Sequence, residues 1–282
     1  MGAKPFGLTA YQLKWIAVVL MTADHLAMIV EKIPPLSSSA TILRLLGRGA
    51  APLFLFVLTE SISHTRDKKR FLLRLYLAGV LTSLFTTVTN LVFGDRLIYT
   101  PGNIIFTYLY VAIYVYLIEN LVRAWKERAG KKMALWLGLL LATVVPELLW
   151  KFVDGLRMLP HSQHIFLRDD IVSGLLLRIS QVEYSALFVL MGILLYFTRG
   201  NRKWQALVFL GFCILSFLGS RADRDLWPFH QFFESQQFWM ILALPMMLLY
   251  NGKRGRSDQY FFYLYYPVHR YLIALASKWI GV

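Results

Sequence analysis

The sequence predicts an all-α protein, a polytopic membrane helix bundle of about nine transmembrane helices with a cytoplasmic N-terminus. Three observations support this fold class. The 282 residues are 57% hydrophobic and only 16% charged, with a mean hydropathy of +0.52, whereas a soluble domain carries about a quarter charged residues. Apolar runs long enough to cross a bilayer recur along the chain, and basic residues fill every second loop between them. The same composition excludes intrinsic disorder, which requires low hydrophobicity.

The apolar runs give the predicted elements in order. A helix crosses the hydrocarbon core with about 20 mostly apolar residues. The first run is too long for a cleavable signal peptide and lacks a small-residue cleavage site. The sixth run contains Arg178 and Glu183, so it can be broken or partly buried. Because no internal repeat or linker divides the runs, we expect one membrane domain over residues 1–282. The runs cover approximately 11–31, 41–61, 71–93, 102–121, 133–150, 171–197, 204–219, 235–250 and 260–280.

Basic residues mark the loops on one side. The chain has 30 Lys and Arg against 16 Asp and Glu, a formal charge of +14. In a soluble protein this excess indicates a nucleic-acid partner, but in a hydrophobic chain the alternating basic loops follow the positive-inside rule. We therefore expect no nucleic-acid partner, an outer C-terminus and a multi-pass location in the cytoplasmic (inner) membrane among its lipids. The basic loops contain Arg66, Lys68, Lys69 and Arg70; Arg123, Lys126, Arg128, Lys131 and Lys132; Arg199, Arg202 and Lys203; and Lys253, Arg254 and Arg256.

Ionisable side chains inside the runs are the candidate functional residues. Each costs about 2.5–3.5 kcal/mol to insert, so such groups usually face a cavity or a partner. Asp24 and Arg48 can instead form a buried ion pair that only fixes helix register. Arg44 is close enough to an interface to snorkel, and a lone intramembrane histidine is often a core residue. The set consists of Asp24 and His25 in the first run, Arg44 and Arg48 in the second, and His269 in the last.

Two prolines lie beside this set. Pro52 removes the backbone hydrogen bond to the carbonyl of Arg48, which predicts a kink in the second run. Pro267 frees a carbonyl in the last run in the same way. The aromatic stretch 260–266 is typical of a belt at the cytoplasmic interface, but Tyr266 precedes His269 by three residues and shares its helix face.

The loops hold a second group of candidates. His161 and His164 precede Asp169 and Asp170 in an outer loop; this set can bind zinc, although a polar rim for an outside substrate is the favoured interpretation and no metal is expected. Asn103 opens the fourth run, where it either caps its own helix or orients a carbonyl or an anion. On the cytoplasmic side, residues 251–255 form a compact basic turn that can cradle phosphates or simply follow the positive-inside rule.

Other signatures are absent from the sequence. No nucleotide-binding fingerprint is present and no serine-hydrolase elbow, so ATP-driven transport is not expected. With Cys213 as the single cysteine, neither an intramolecular disulfide nor a cysteine metal cluster can form.

Five motifs together resemble the TraX family of integral membrane proteins. They are Leu-Met-x-x-Asp-His at 20–25, Gly-Arg-Gly-Ala-Ala-Pro-Leu-Phe at 47–54, Gly-Asn-Ile-Ile-Phe at 102–106, Ala-Leu-Pro-x-x-Leu-Leu-Tyr-Asn-Gly-Lys-Arg-Gly at 243–255, and Phe-Phe-Tyr-x-x-Tyr-Pro-x-His at 261–269. The name-giving member of that family acetylates the N-terminus of conjugative pilin. The middle of the chain, roughly 122–230, matches only loosely, and we expect the choice of substrate to lie there.

The resemblance implies an acetyltransferase that moves an acetyl group from cytosolic acetyl-CoA to an acceptor amine or hydroxyl outside, on a peptide N-terminus, a sugar or another small molecule. The phosphates of CoA would meet basic side chains and the turn amide. These cofactor-binding candidates are Lys253, Arg254, Asn251, Arg66 and Arg70. The acceptor would meet the outer polar residues, for which the candidates are Asn103, Tyr266, Asp169 and Asp170.

The predicted catalytic residues are four members of the intramembrane set: His25, Asp24, His269 and Arg48. His25 is the expected general base, and His269 is a second candidate base or the acceptor of a transient acetyl group. Asp24 points about 100° away from His25 on a helix, so it is expected to hold Arg48 or His269. Arg48 or Asn103 would stabilise the developing oxyanion. The alternative function is a proton-coupled secondary transporter or channel that uses the same Asp, His and Arg residues.

Overall fold

The protein is all-α, as predicted. The computed structural model describes residues 6–93, 103–155, 178–179, 182–221, 236–256 and 258–279. No strand occurs in these ranges beyond a single parallel bridge between Leu8 and Tyr250. Short 3₁₀ segments cover Pro34–Leu36 and Gln236–Leu242. The helices are α1 (Ala10–Val30), α2 (Ser37–Gly47), α3 (Ala50–His64), α4 (Lys68–Phe93), α5 (Ile104–Lys126), α6 (Gly130–Ala142), α7 (Val145–Gly155), α8 (Ser185–Phe197), α9 (Arg202–Arg221), α10 (Ala243–Leu248) and α11 (Gln259–Trp279).

The helices define a multi-pass membrane protein. Within the described ranges, five helical stretches are long and apolar enough to cross a membrane. Two further apolar helices, Ala186–Phe197 and Gln237–Leu248, are shorter than a full span. The predicted total of about nine spans therefore stays a prediction. The five stretches are Ala10–Val30, Pro34–His64, Lys68–Thr89, Ile104–Lys126 and Gly130–Phe152.

A capping box fixes where α1 begins. The Thr9 hydroxyl accepts a hydrogen bond from the backbone N–H of Gln12, and the Gln12 side chain accepts one from the backbone N–H of Thr9. This reciprocal pair satisfies two of the N–H groups that a helix start leaves unpaired. The first span therefore begins at Ala10, one residue before the predicted edge.

The second span is interrupted near Pro52, as the sequence predicted. Helix α2 ends at Gly47 and α3 begins at Ala50. Because proline has no backbone N–H, the carbonyl of Arg48 loses its usual helical donor. The backbone stays connected through bonds from Gly49 N to Leu46 O and from Leu53 N to Gly49 O, each 3.3 Å long. The chain is therefore irregular beside Arg48.

Two other spans also depart from continuous helices. In the predicted sixth run, the described helix begins only at Ser185, after Tyr184 with a left-handed φ of 67°. This agrees with the predicted break near Glu183. The fifth run, predicted as one helix, divides between α6 and α7 at Thr143. Pro146 explains this unpredicted interruption, because it lacks the N–H that would bond to a carbonyl of the preceding turn.

The chain forms two compact units. The first contains residues 1–63 and 194–282, and the second contains residues 64–193. In the first unit α1 packs against α2 and α11, and in the second α5 packs against α4 and α6. The predicted single domain over residues 1–282 stays a prediction. Packing in the first unit brings the polar residues of its spans together.

Candidate functional site

Two histidines from opposite ends of the sequence meet in the first unit. His25 lies on α1 and His269 on α11, and their ring centroids are 4.8 Å apart at an interplanar angle of 88°. His269 Nε2 is 3.4 Å from His25 Nδ1. His269 is only 5% exposed. We name His25 and His269 the histidine pair.

Backbone carbonyls determine which imidazole nitrogens carry hydrogen. His25 Nδ1 lies 2.8 Å from the carbonyl of Met21, and His269 Nδ1 lies 2.7 Å from the carbonyl of Tyr265. A carbonyl can only accept, so in each neutral ring Nδ1 is the donor and Nε2 keeps its lone pair. His269 Nε2 faces the other ring, whereas His25 Nε2 has no hydrogen-bond partner in the described part of the chain. His25 Nε2 is therefore the nitrogen that is available to take a proton.

Aromatic stacking holds the orientation of His269. The ring of Tyr265 is parallel to it within 4°, with centroids 4.8 Å apart. The Tyr265 hydroxyl lies 2.6 Å from the hydroxyl of Thr22, which in turn donates to the carbonyl of Val18 at 2.8 Å. This chain of contacts ties α11 to α1 one turn away from the histidine pair. No sequence pattern singles out Thr22 or Tyr265, since both residue types are common in membrane helices.

Asp24 and Arg48 form the predicted ion pair. Arg48 Nη2 donates to Asp24 Oδ1 at 2.9 Å, and the side chains are 14% and 19% exposed. Gly47, the residue before Arg48, allows α2 to approach α1 closely, because a Cβ there would overlap the backbone and Cβ of Asp24. Arg48 Nε is buried without a hydrogen-bond partner within the described ranges. The pair fixes the register of α1 against α2 next to His25.

Arg44 has a partner that the sequence analysis did not assign. Its guanidinium pairs with the carboxylate of Glu31 at the end of α1. Glu31 is the C-cap residue of that helix. The Arg44–Glu31 pair therefore lies at the C-terminal end of α1, beyond the Asp24–Arg48 pair. Arg44 can pair with Glu31 and still extend toward a membrane interface, because both side chains keep some exposure.

Arg270 is the charged residue that sequence reasoning missed. It directly follows His269 and is only 8% exposed. Its Nη1 donates to the hydroxyl of Tyr266 at 3.1 Å, and its guanidinium lies 5.5 Å from the Tyr266 ring centroid. The Tyr266 ring is 6.1 Å from that of His269, so the predicted shared face is confirmed. An arginine inside an apolar run was the signal available in the sequence.

The basic turn is held against the start of α1. The backbone N–H groups of Ala10 and Tyr11 donate to the carbonyls of Lys253 and Arg254 at 2.9 and 3.1 Å. Gly255 has a φ of 72°, and a Cβ there would come within 2.8 Å of Tyr11 Cβ. The Lys253 and Arg254 side chains are exposed. The turn therefore presents two basic side chains from a fixed backbone.

Asn251 has a role within the protein. It is 8% exposed, its Nδ2 donates to the carbonyl of Gly7 at 3.0 Å and its Oδ1 accepts from the backbone N–H of Lys253 at 2.9 Å. Both ends of the amide are thus engaged in shaping the basic turn. Its predicted contact with a cofactor stays a prediction.

The second unit contains three other predicted site residues. Arg66 and Arg70 are exposed near the start of α4, where Arg70 pairs with Asp67 at 3.0 Å. Asn103 caps α5, because its Oδ1 accepts from the backbone N–H of Ile105 at 3.0 Å. Its Nδ2 donates to Gly79 O and Ser83 Oγ. The capping alternative for Asn103 is confirmed, and its role toward a substrate stays a prediction.

The remaining candidates lie outside the described residues. Asp169 and Asp170, together with His161 and His164, fall in the range 156–177. Among the residues that are described, no group of three or more His, Cys, Asp or Glu side chains is arranged to hold a metal ion.

The helices and the polar cluster define a class of protein: a multi-pass membrane protein in which α1, α2 and α11 bring together a histidine pair, an Asp–Arg pair and a buried arginine. The TraX protein family matches residues 9–277. The chain therefore belongs to the TraX family, as its motifs indicated. It is also 25% identical over 285 residues to a "Probable fimbrial assembly protein FimC, serogroup H1" of Dichelobacter nodosus, covering 96% of this chain and 97% of that protein. No solved structure is significantly similar.

Proposed function

We propose that this protein is an integral membrane acetyltransferase that moves an acetyl group from cytosolic acetyl-CoA to an amine or hydroxyl acceptor outside the cytoplasmic membrane. The observation that carries the proposal is the unengaged Nε2 lone pair of His25, held in a polar cluster within the spans. Membership of the TraX family supports the reaction class. The name of the relative, a fimbrial assembly protein, favours a protein acceptor at the cell surface.

The histidine pair suits proton transfer from the acceptor. An acceptor N–H or O–H loses its proton to His25 Nε2 as its nitrogen or oxygen attacks the thioester carbonyl carbon. The C–S bond then breaks, and the CoA sulfur leaves with the proton that His25 took up. The positive charge on His25 is shared with His269, whose Nε2 lone pair faces His25 Nδ1 at 3.4 Å. His269 therefore acts as the residue that positions and supports the base.

Arg48 is the candidate for stabilising the oxyanion that develops on the thioester carbonyl. A preorganised donor at such an oxygen contributes about 3–4 kcal/mol to the transition state. Asp24 holds Arg48 in place, so the guanidinium loses little orientational freedom when a substrate binds.

The length of α1 matches the shape of the donor. The basic turn is hydrogen-bonded to Ala10 and Tyr11, and His25 lies fifteen residues beyond Ala10 on the same helix, which is about 20 Å at 1.5 Å per residue. CoA carries its phosphates at one end and the thioester at the other end of a long flexible arm. Phosphates at Lys253 and Arg254 would leave that arm to reach toward the histidine pair.

Equilibrium binding of acetyl-CoA and CoA to the purified protein in detergent tests the donor. We expect saturable binding that Lys253→Ala with Arg254→Ala weakens, and more strongly at low salt than at high salt because exposed charges are screened. Lys131→Ala with Lys132→Ala, a doubly charged change in another basic loop, is the matched control. Absence of binding to folded protein would contradict the proposal and favour the proton-coupled transporter.

Transfer of radiolabelled acetyl from acetyl-CoA to cell-envelope acceptors tests the base. His25→Ala is expected to abolish transfer while acetyl-CoA binding is kept, because the base contributes to chemistry and not to phosphate contacts. His64→Ala, which removes an exposed imidazole at the end of α3, is the control. Full transfer by the His25 variant would move the base to His269.

A further inference from the structure

Arg270 carries a charge that the described protein does not neutralise. No carboxylate within the described residues lies at ion-pairing distance from its guanidinium, and its hydrogen-bond partner, the Tyr266 hydroxyl, is neutral. A buried guanidinium is stable when a counter-charge and hydrogen bonds replace the water it has lost. The run 260–280 is predicted from the sequence to cross the membrane, where water is scarce and this requirement is stronger still.

The surroundings of Arg270 have an excess of positive charge. The described part of the cluster holds two guanidinium groups, Arg48 and Arg270, against one carboxylate, Asp24. Asp24 is already engaged with Arg48 at 2.9 Å. Both arginines interact electrostatically with His25, and Arg270 also interacts with His269. One negative charge beside the histidine pair would balance the site.

The guanidinium of Arg270 also keeps unused hydrogen-bond donors. A guanidinium has five N–H donors, and within the described residues Arg270 donates from Nη1 to the Tyr266 hydroxyl. The residue as a whole is 8% exposed. The remaining donors can therefore serve a bound anion.

We propose that Arg270 forms an anion site for a carboxylate-sized ligand beside the histidine pair, with the Tyr266 hydroxyl holding the guanidinium in orientation. A planar guanidinium matches two oxygens of a carboxylate, or one concentrated oxyanion, through parallel N–H donors. During turnover Arg270 would act together with Arg48 on the oxygen of the attacked thioester, an assignment that rests on the proposed function. The anion site itself is independent of that function.

Acetate is the probe, because it is the smallest planar carboxylate. The purified protein in detergent is titrated with sodium acetate and with sodium chloride at equal ionic strength, and the thermal unfolding midpoint is followed. A ligand that binds only the folded state raises the midpoint, and the stabilisation grows as RT ln(1 + [L]/Kd). We expect acetate to do so and chloride not to. Arg270→Gln should raise the acetate concentration that gives a chosen rise in the midpoint about tenfold or more, because a charged hydrogen-bond donor is lost.

Arg199→Gln is the matched control. Arg199 belongs to the same unit, and its guanidinium also lies over a tyrosine ring, 3.9 Å from the centroid of Tyr196. Its replacement removes the same charge and should leave the acetate response unchanged. An equal loss in both variants, an unchanged response in Arg270→Gln, or the same rise in the midpoint from inorganic phosphate at a lower concentration than acetate would each overturn the proposal.

A measurement on the unmodified protein covers the case in which Arg270→Gln does not fold. Phenylglyoxal modifies arginine, and mass spectrometry locates the modified peptide. Acetate should slow modification of Arg270 and leave that of Arg254 in the basic turn unaffected; absence of this protection overturns the anion site. If acetate binds and acetyl-CoA does not, the anion site stands and the proposed donor fails. If acetyl-CoA binds and acetate does not, the proposed donor stands and the anion site fails.

Discussion

At the scale of single residues, two carbonyl groups decide the chemistry of the histidine pair. Met21 and Tyr265 each accept from the Nδ1 atom one helical turn away, so both rings present Nε2 as the basic nitrogen. The rings differ because His269 Nε2 is occupied by His25. The proposal of His25 as the base therefore rests on which lone pair is already engaged.

The Asp24–Arg48 pair gives the first residue-scale prediction. Asp24→Asn and Arg48→Ala should each lower the free energy of unfolding in detergent by about 3 kcal/mol, because each leaves a largely buried charge without its partner. The double variant should be no worse than either single one, since the coupling is lost only once. Denaturant titration of the four proteins measures this. Simple additivity would show that the two side chains act separately.

The sequence predicted some of the residues in this cluster and missed others. His25, Asp24, Arg48 and His269 were identified because ionisable groups are costly in a membrane. Arg270 satisfied the same criterion, but its adjacency to His269 did not show that its side chain would bond to Tyr266 and lie near both rings. The two histidines are 244 residues apart in the sequence. Their contact depends on how α1 and α11 pack, which no local pattern in the sequence specifies.

At the scale of elements, the approach of α2 to α1 depends on Gly47. A Cβ at this position would lie 2.8 Å from Asp24 Cα and 2.9 Å from Asp24 N. Small residues at a helix contact let two backbones come close, which is how membrane helices gain packing energy. The glycine thereby sets how near Arg48 comes to Asp24.

Gly47→Ala should therefore destabilise the protein by about 1–3 kcal/mol, because the new methyl group meets backbone atoms that cannot move aside. Gly211→Ala is the control: this glycine lies within α9 and has no atom within 4 Å of the added Cβ, so the change should be neutral or stabilising by up to about 1 kcal/mol. Thermal unfolding in detergent compares them. Equal stability of the two variants would mean that α1 and α2 do not pack as described.

The basic turn was singled out in the sequence for its charge, but the structure also gives its backbone a role. Its charge indicated a phosphate site or a topology signal. In the structure its carbonyls also cap α1, while Asn251 holds its shape. The sequence did not predict these bonds to the N–H groups of Ala10 and Tyr11, because the accepting carbonyls belong to a segment more than 240 residues away.

At the scale of the whole molecule, the alternation of basic loops is the basis of the predicted orientation. Two spans that the sequence presents as single runs are interrupted, at Arg48 and at Thr143. Such interruptions do not change the side on which a loop lies as long as each run still crosses the membrane. The orientation can therefore be tested without reference to the exact helix edges.

Single cysteines provide that test in a Cys213→Ala background, since the chain has no other cysteine. Ser162→Cys should react with a membrane-impermeant maleimide in intact spheroplasts, because its loop is predicted to lie outside. Lys131→Cys should react only after permeabilisation, because basic loops are retained in the cytoplasm. Labelling of both from the same side would show that the run 133–150 does not cross.

The sequence by itself determined the membrane class, the family and the residues that are expensive to bury, because composition, motif order and the cost of intramembrane charge are properties of the chain alone. Only the tertiary structure decided which of those residues meet. The pairing of His25 with His269, the engagement of Asp24 by Arg48 and the place of Arg270 beside them arise from α1 packing against α2 and α11. Packing energy between helices depends on shape complementarity over many side chains, and no local spacing in the sequence specifies it.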